Sequence, residues 1–333
     1  MADLLSALIR SLIIIIALLT GMAYMTWFER RVISRLQVRI GPNRVGPTGL
    51  LQPLADALKL FFKEDIRPAM ADRVLYPLAP VISLIAALAA FAVIPIGPTW
   101  TIGNFQIPLV IQDMPVALVY LIGASSLGVY GVVLGGWSSG SKYSLLGALR
   151  GGAQVVSYEL VLGLALVGVV IVSGTLSIGG IVDAQARSVP FVIFQPLGFV
   201  LYFIAAIAET NRAPFDLPEA EQELVAGYHT EYSGFRFAMY FIAEYVNVLT
   251  VSAIAATLFF GGWTGPLNLL PGPWWLLIKM SVFAFVFVWL RATLPRLRYD
   301  QLMRLSWGLL LPLGLLNVLV TAIVVVLLTP GAR

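Results

Sequence analysis

The sequence has no cysteine and a single histidine, His229. Disulfides, thiolate-held iron–sulfur clusters and paired-histidine haem or metal sites are therefore excluded, and any redox centre is expected on a partner chain. Charge is equally scarce. Asp, Glu, Lys and Arg make up 11% of the 333 residues against 59% hydrophobic ones, and the mean hydropathy is +0.90. A soluble domain of this length could not cover its surface with so few charges, so the expected solvent is a lipid bilayer. No small-residue cleavage site separates the first apolar run from Glu29-Arg30-Arg31, which predicts a retained first span rather than a signal peptide. Nor is there a convincing repeat between the two halves, which counts against transporters built from inverted repeats.

What the chain has instead is apolar length. Runs near 5–28, 74–95, 114–135, 152–173, 189–208, 237–263, 274–293 and 308–328 each suffice to cross roughly 30 Å of hydrocarbon, which takes about 20 helical residues. The runs are too long and uniform for barrel strands, so every backbone amide must be satisfied within its own helix. The expected fold is all-α: a single integral membrane domain over 1–333 with about eight transmembrane helices. Its long polar loops fall at 29–73, 136–151, 209–236 and 294–307. Of the 21 lysines and arginines, 17 lie on these loops or their flanks. The positive-inside rule then places the loops in the cytoplasm and both termini outside. The same pattern explains the sequence pI near 9.4 without nucleic acid.

Within the first loop, LLQPLADALKLFFK at 50–63 places Leu51, Leu54, Leu58, Phe61 and Phe62 on one helical face and Gln52, Asp56, Lys59 and Lys63 on the other. This predicts an amphipathic helix in the membrane interface, either an anchor or a lip that admits an amphipathic molecule from the bilayer. Upstream, VRIGPNRVGPTG lacks the Lys-Ser/Thr of a phosphate loop, and its glycines and prolines make turns. Arg30, Arg31, Arg35 and Arg39 follow span 1. They read as a stop-transfer cluster at lipid headgroups, or as a source of one or two arginines turned inward toward a ligand oxygen or carboxylates.

Carboxylates are distributed unevenly. Glu159 and Glu244 fall about two turns inside spans 4 and 6, where an ionised group costs roughly 2.5–3.5 kcal/mol on insertion scales and normally faces protein interior or a wet cavity. The competing reading is snorkelling, or satisfaction by Asn247 or Tyr158. Six more crowd AETNRAPFDLPEAEQELVAGYHTEY at 208–232: Glu209, Asp216, Glu219, Glu221, Glu223 and Glu231. Asp216, Pro218 and Glu219 predict a helix N-terminus with a capping-box-like pair. Glu219 and Glu223 are then i, i+4 on one face, where like charges repel and share protons. The row reads as a proton path toward Glu159 and Glu244, or as an acidic docking surface.

These segments resemble a known family. ERRVISRLQVRIGPNRVGPTGLLQPLADALKLFFKED, AETNRAPFDLPEAEQELVAGYHTEYSG, AEY at 243–245 and RATLPRLRYDQLM at 291–303 are similar to the quinone-site membrane subunit of respiratory complex I, the family of the H subunit of NADH:quinone oxidoreductase and of mitochondrial NADH dehydrogenase subunit 1. The resemblance covers nearly the whole chain. It implies a bacterial plasma-membrane subunit that binds no cofactor of its own, takes quinone as substrate from the lipid, and couples its reduction to proton translocation.

Partners implied in the same way are peripheral-arm subunits carrying FMN and iron–sulfur clusters, small membrane-arm subunits and antiporter-like subunits. Glu159, Glu209, Asp216, Glu219, Glu221, Glu223 and Glu244 match carboxylates implicated in coupling. Arg30, Arg39, Arg291, Arg296 and Arg298 match the tunnel and arm-interface arginines, and no metal site is implied. Alternatives from the residues themselves are the equivalent subunit of a membrane-bound hydrogenase or ferredoxin-fed complex, a stand-alone transporter using Glu159, Glu244 and Lys279, or a structural anchor.

Overall fold

The computed structural model describes residues 2–102, 105–219, 221–265 and 270–328, and the side chains of all of these except 2–5, 101–107 and 220–222. The chain folds as a polytopic α-helical membrane protein. Among the described residues, six helices are long and apolar enough to cross a membrane. They are α1 (Ala2–Leu36), α4 (Ala117–Ser138), α5 (Lys142–Ser173), α9 (Gly234–Phe260), α10 (Pro273–Thr293) and the run Tyr299–Leu328. Within that run, α11 (Tyr299–Leu305) passes through a π-helical turn at Ser306–Leu310 into α12 (Leu311–Leu328).

Two shorter apolar helices, α3 (Leu75–Phe91) and α7 (Pro196–Glu209), occupy the other two expected spans. The α7 run is shorter than its apolar stretch because residues 191–194 turn before Pro196 starts the helix. The amphipathic α2 forms at Gln52–Phe62 and buries none of its residues. At the end remote from the polar loops are α6 (Ile178–Arg187), whose N-cap Ser177 accepts the Gly180 amide, and a hairpin. In the hairpin β1 (Trp100–Ile102) pairs antiparallel with β2 (Phe105–Ile107), Trp100 opposite Ile107.

Two boundaries differ from expectation. α1 runs 35 residues, about 52 Å, through Glu29 and Arg35. Nothing in ERRVISRL breaks a helix, so the first loop begins at 37 rather than 29. α5 starts at Lys142, leaving only 139–141 of the expected 136–151 loop outside helix. Its extra turns are held by tertiary contacts: Ser144, Gly147 and Ala148 are buried, and Ser144 Oγ donates to the Tyr228 carbonyl at 2.8 Å.

α5 and α9 form the centre. Val161, Ala165, Leu166 and Val169 of α5 and Ala253, Ala256, Leu258 and Phe259 of α9 are almost completely buried, with α3, α4, α7, α10 and α12 packed around them. Between helices in lipid the drive is close packing and polar bonding, and small residues permit both. A Cβ on Gly131 of α4 would lie 1.9 Å from Ser83 Oγ of α3. Gly168 and Gly198 leave room for Gln195, whose amide donates to Thr321 Oγ1 (2.6 Å) and accepts from Asn317 Nδ2 (2.9 Å), tying α12 to the bundle.

The polar loops converge at one end of the bundle. The Asp72 amide donates to the Ser138 carbonyl (2.9 Å), the Leu297 amide to Pro214 (3.1 Å) and Ser233 Oγ to Glu64 (3.2 Å). Gly227 sits at φ +60 where a Cβ would lie 1.6 Å from the Pro218 carbonyl oxygen. We expect Gly227→Ala to cost more than about 2 kcal/mol and to lower accumulation of the protein in membranes sharply. Gly163→Ala, whose Cβ meets nothing within 4 Å, should leave it unchanged.

Candidate functional site

The acidic loop between α7 and α9 is a fixed structure. Gln154, fully buried on α5, donates from Nε2 to the carbonyls of Ala208 and Phe215, both at 2.7 Å. Gly147 lets the Pro218 carbonyl approach α5, and the Tyr228 amide donates back to Pro218 at 3.2 Å. Arg296 donates to the Asp216 carbonyl from the loop after α10.

The expected helix start at Asp216 is not formed. Residues 217–219 are turns, and the α-helix that follows is the short α8 at Glu221–Leu224. Pro214 and Pro218 remove amides, and the contacts to α5 outcompete a capping box. Glu219 and Glu223 are consequently not partners on one helical face.

Arg212 is the centre of an ion cluster. Its guanidinium pairs with Glu244 of α9 and with Glu29 of α1 (3.4 Å), and Arg291 of α10 also pairs with Glu29. The side chains of Arg212, Glu29 and Glu244 are only 7%, 8% and 11% exposed. Arg212 also lies over the Tyr245 ring, 4.3 Å from its centroid. Burial disfavours the guanidinium charge, but Glu244 and Glu29 more than offset this and hold its pKa above the ordinary value.

Two cavities meet this cluster. On one side a polar cavity of about 50 Å³ of water-accessible volume holds a few waters at most. Glu209, Glu219 and Glu244 line it, together with Ser83, Ser125, Tyr228, Tyr240 and Asn247. On the other side an apolar pocket of about 440 Å³ opens between α1, α2 and α9, lined by Met22, Leu54, Phe61, Phe237, Phe241 and Tyr245, among others. Arg30 and Asp56 pair across its wall at 2.6 Å. Tyr245 belongs to the apolar pocket and stacks on Arg212, and Arg212 pairs with Glu244 of the polar cavity. A single run of touching side chains therefore connects the two spaces.

The remaining predicted residues divide. Glu159 of α5 is half-buried and accepts a hydrogen bond from Ser126 of α4, not from Tyr158, whose hydroxyl donates to Leu302, nor from Asn247. Glu219 approaches His229 at 4.0 Å. Asp216 is half-buried beside Arg296. Glu223 is 55% exposed and pairs with Arg150 at 2.6 Å. The Arg150 hydrogen bond holds the Glu223 carboxyl below the usual carboxylate range. A depressed carboxylate pKa means that what this pair adds to stability is present at neutral pH and lost as pH falls through the lowered value. The Glu221 side chain lies outside the described residues.

Arg39 and Arg298 are exposed and outside both cavities, Arg39 donating to Gln37. Lys279 is committed elsewhere, donating to the carbonyls of Phe260, Gly262 and Thr264 at 2.6–2.8 Å and so closing the end of α9. Sequence reasoning missed Glu29, Gln154 and the role of Arg212. Glu29 is visible only as the acid preceding Arg30-Arg31, where it reads as a boundary residue.

The NADH dehydrogenase family model matches residues 9–322. The chain is 58% identical to the NADH-quinone oxidoreductase H subunit of Thermomicrobium roseum, covering 92% of each chain. It is 55% identical to the corresponding H subunit of Syntrophotalea carbinolica, over 91% of each. With the second H subunit of Geobacter metallireducens it shares 50% identity, over 98% of this chain and 97% of that one.

Removing Arg212 alone strands the buried Glu244 carboxylate, while Glu29 keeps Arg291, a loss of about 3–5 kcal/mol for a buried pair. We expect Arg212→Met to lower thermal stability strongly and Glu244→Gln to recover a substantial part of it in the double variant. Additive losses in that cycle would show that the pair is uncoupled.

Proposed function

The chain belongs to the H-subunit family of NADH-quinone oxidoreductase, as a membrane subunit of that complex, and from this premise we propose that it admits quinone and converts quinone reduction into proton movement. The observation that carries the reading is the Tyr245–Arg212–Glu244 connection between an apolar pocket and a polar cavity of carboxylates.

The apolar pocket suits an isoprenoid tail arriving from lipid across α2, whose Leu54, Leu58 and Phe61 face that space. Electrons come from an iron–sulfur cluster on a peripheral-arm subunit, itself fed through FMN. The head group takes up two electrons near the Arg212 cluster. The new negative charge competes with Glu244 and Glu29 for the guanidiniums of Arg212 and Arg291. A carboxylate that loses its cation binds a proton more tightly, by about 1.4 kcal/mol per pKa unit.

Glu244 then draws a proton from the cavity it shares with Glu219 and Glu209, and Glu159 next to Ser126 carries the change toward the antiporter-like subunits. Glu223, exposed beside Arg150, forms the solvent end of the path, and the half-buried Asp216 in the same loop continues it. Arg30 and Arg291 serve the pocket and the cluster, while Arg39, Arg296 and Arg298 serve the contact with the peripheral arm. The loops face the cytoplasm of a bacterium, and both termini face out.

In the complex purified from its native host and returned to sealed vesicles, Glu159→Gln and Glu244→Gln should each reduce NADH-driven proton translocation at least several-fold. Glu223→Gln should reduce it far less, since water can substitute for an exposed carboxylate. Unaltered translocation in both buried variants would sink the coupling role. A second test addresses the pocket: Phe241→Asp should abolish inhibitor-sensitive quinone reduction and spare NADH oxidation by an artificial acceptor.

A further inference from the structure

Two consecutive serines of α4 stand against two of these carboxylates from different helices. Ser126 Oγ is hydrogen-bonded to Glu159 of α5, and Ser125 lines the polar cavity beside Glu209 of α7, within hydrogen-bonding reach of its carboxyl. Successive helix positions point about 100° apart, which is how neighbours in sequence reach two different helices. Both hydroxyls also point at one further acceptor, the Ile122 carbonyl, at 2.9 Å from Ser125 and 2.8 Å from Ser126.

A hydroxyl has one proton to give and lone pairs to receive, and a carbonyl oxygen inside a helix keeps one lone pair beside its backbone bond, open to one of the two serines at a time. When Glu159 is ionised, the Ser126 proton turns to the carboxylate. When Glu159 is protonated, its own O–H donates to Ser126 Oγ, and the serine proton swings to the Ile122 oxygen. The Ser125–Glu209 contact permits the same exchange, with the same carbonyl, in its turn, as its resting acceptor. Only the hydroxyl hydrogen moves, by rotation about Cβ–Oγ.

Resting on the coupling role given to Glu159 and Glu209, we propose that Ser125 and Ser126 are positioning residues that keep these two carboxyls hydrogen-bonded in both charge states, letting each gain or lose a proton without a side-chain rearrangement. Neither serine accepts or releases a net proton. The bland alternative is that the hydroxyls merely back-bond to α4, which would leave the carboxylates indifferent to them.

The titratable groups around the pair are Glu159 from α5, Glu209 from α7, Glu219 and Tyr228 from the loop, and Glu244 and Tyr240 from α9. α3 brings Ser83 and carries no charged residue.

The test is infrared titration of the carboxylic acid C=O band in the assembled complex, with Glu159→Gln and Glu209→Gln identifying the two bands. Ser126→Ala removes a donor to the ionised form and should raise the proton affinity of Glu159 about tenfold, one pH unit in midpoint, while Ser126→Thr keeps the hydroxyl and the midpoint. Ser125→Ala should shift the Glu209 band more than that of Glu159. If Ser126→Ala does not accumulate, Ser126→Cys, a weaker donor of similar size, should give an intermediate shift.

A Glu159 band that does not titrate, or that titrates alike in wild type and Ser126→Ala, overturns the proposal, as do equal shifts in Ser126→Ala and Ser126→Thr. Intact proton translocation in Glu159→Gln would instead remove the coupling role of Glu159, and the band midpoints would still decide what the serine does.

Discussion

Keeping a guanidinium charged inside a membrane protein is the constraint from which the rest of this structure follows. Arg212 is almost wholly buried, and a lone cation there would be prohibitively expensive, so carboxylates must come to it. They come from far apart in the chain: Glu29 on α1 and Glu244 on α9, with Arg291 on α10 balancing the second negative charge. The cluster fixes how these three helices and the acidic loop stand relative to one another. In doing so it brings an apolar pocket and a polar cavity within one side chain of each other.

The loop that carries Arg212 has to be held as rigidly as its partners, or the pairing would wander. Its backbone is gripped by Gln154, by Ser144 through Tyr228 and by Arg296. This accounts for features that look unrelated in the sequence. The glycines at 147 and 227 exist where a Cβ would strike Pro218. The polar first turns of α5 are helical because they are the platform for the loop, and α5 begins ten residues before its apolar run for that reason.

The helical architecture was legible from apolar length alone, and so was the amphipathic α2, because both depend on local pattern and bilayer thickness. What could not be read was where charge ends up. Glu223 and Glu219 look equivalent in a row of acids, yet one is paired with Arg150 at the surface and the other lines a cavity. Glu29 looks like the edge of a basic cluster and is instead one of the most buried acids. A capping pattern at Asp216 lost to tertiary contacts from α5 and from the loop after α10. Local propensity is a weak prior wherever a buried polar group has to be satisfied from another part of the chain.

The same asymmetry separates the carboxylates by what each can do. An exposed acid beside an arginine is held ionised and exchanges freely with water, so its charge carries little information about events elsewhere. An acid whose cation is shared with another carboxylate responds to any new charge near that cation, because the low dielectric leaves little else to screen it. Glu244 is in the second position, and Glu209 and Glu219 line its cavity, to which no lysine or arginine among the described residues contributes. Farther along, Glu159 has a hydroxyl where Glu244 has a guanidinium. The partners of these carboxylates thus weaken in charge, from the guanidinium of Arg212 to the hydroxyl of Ser126.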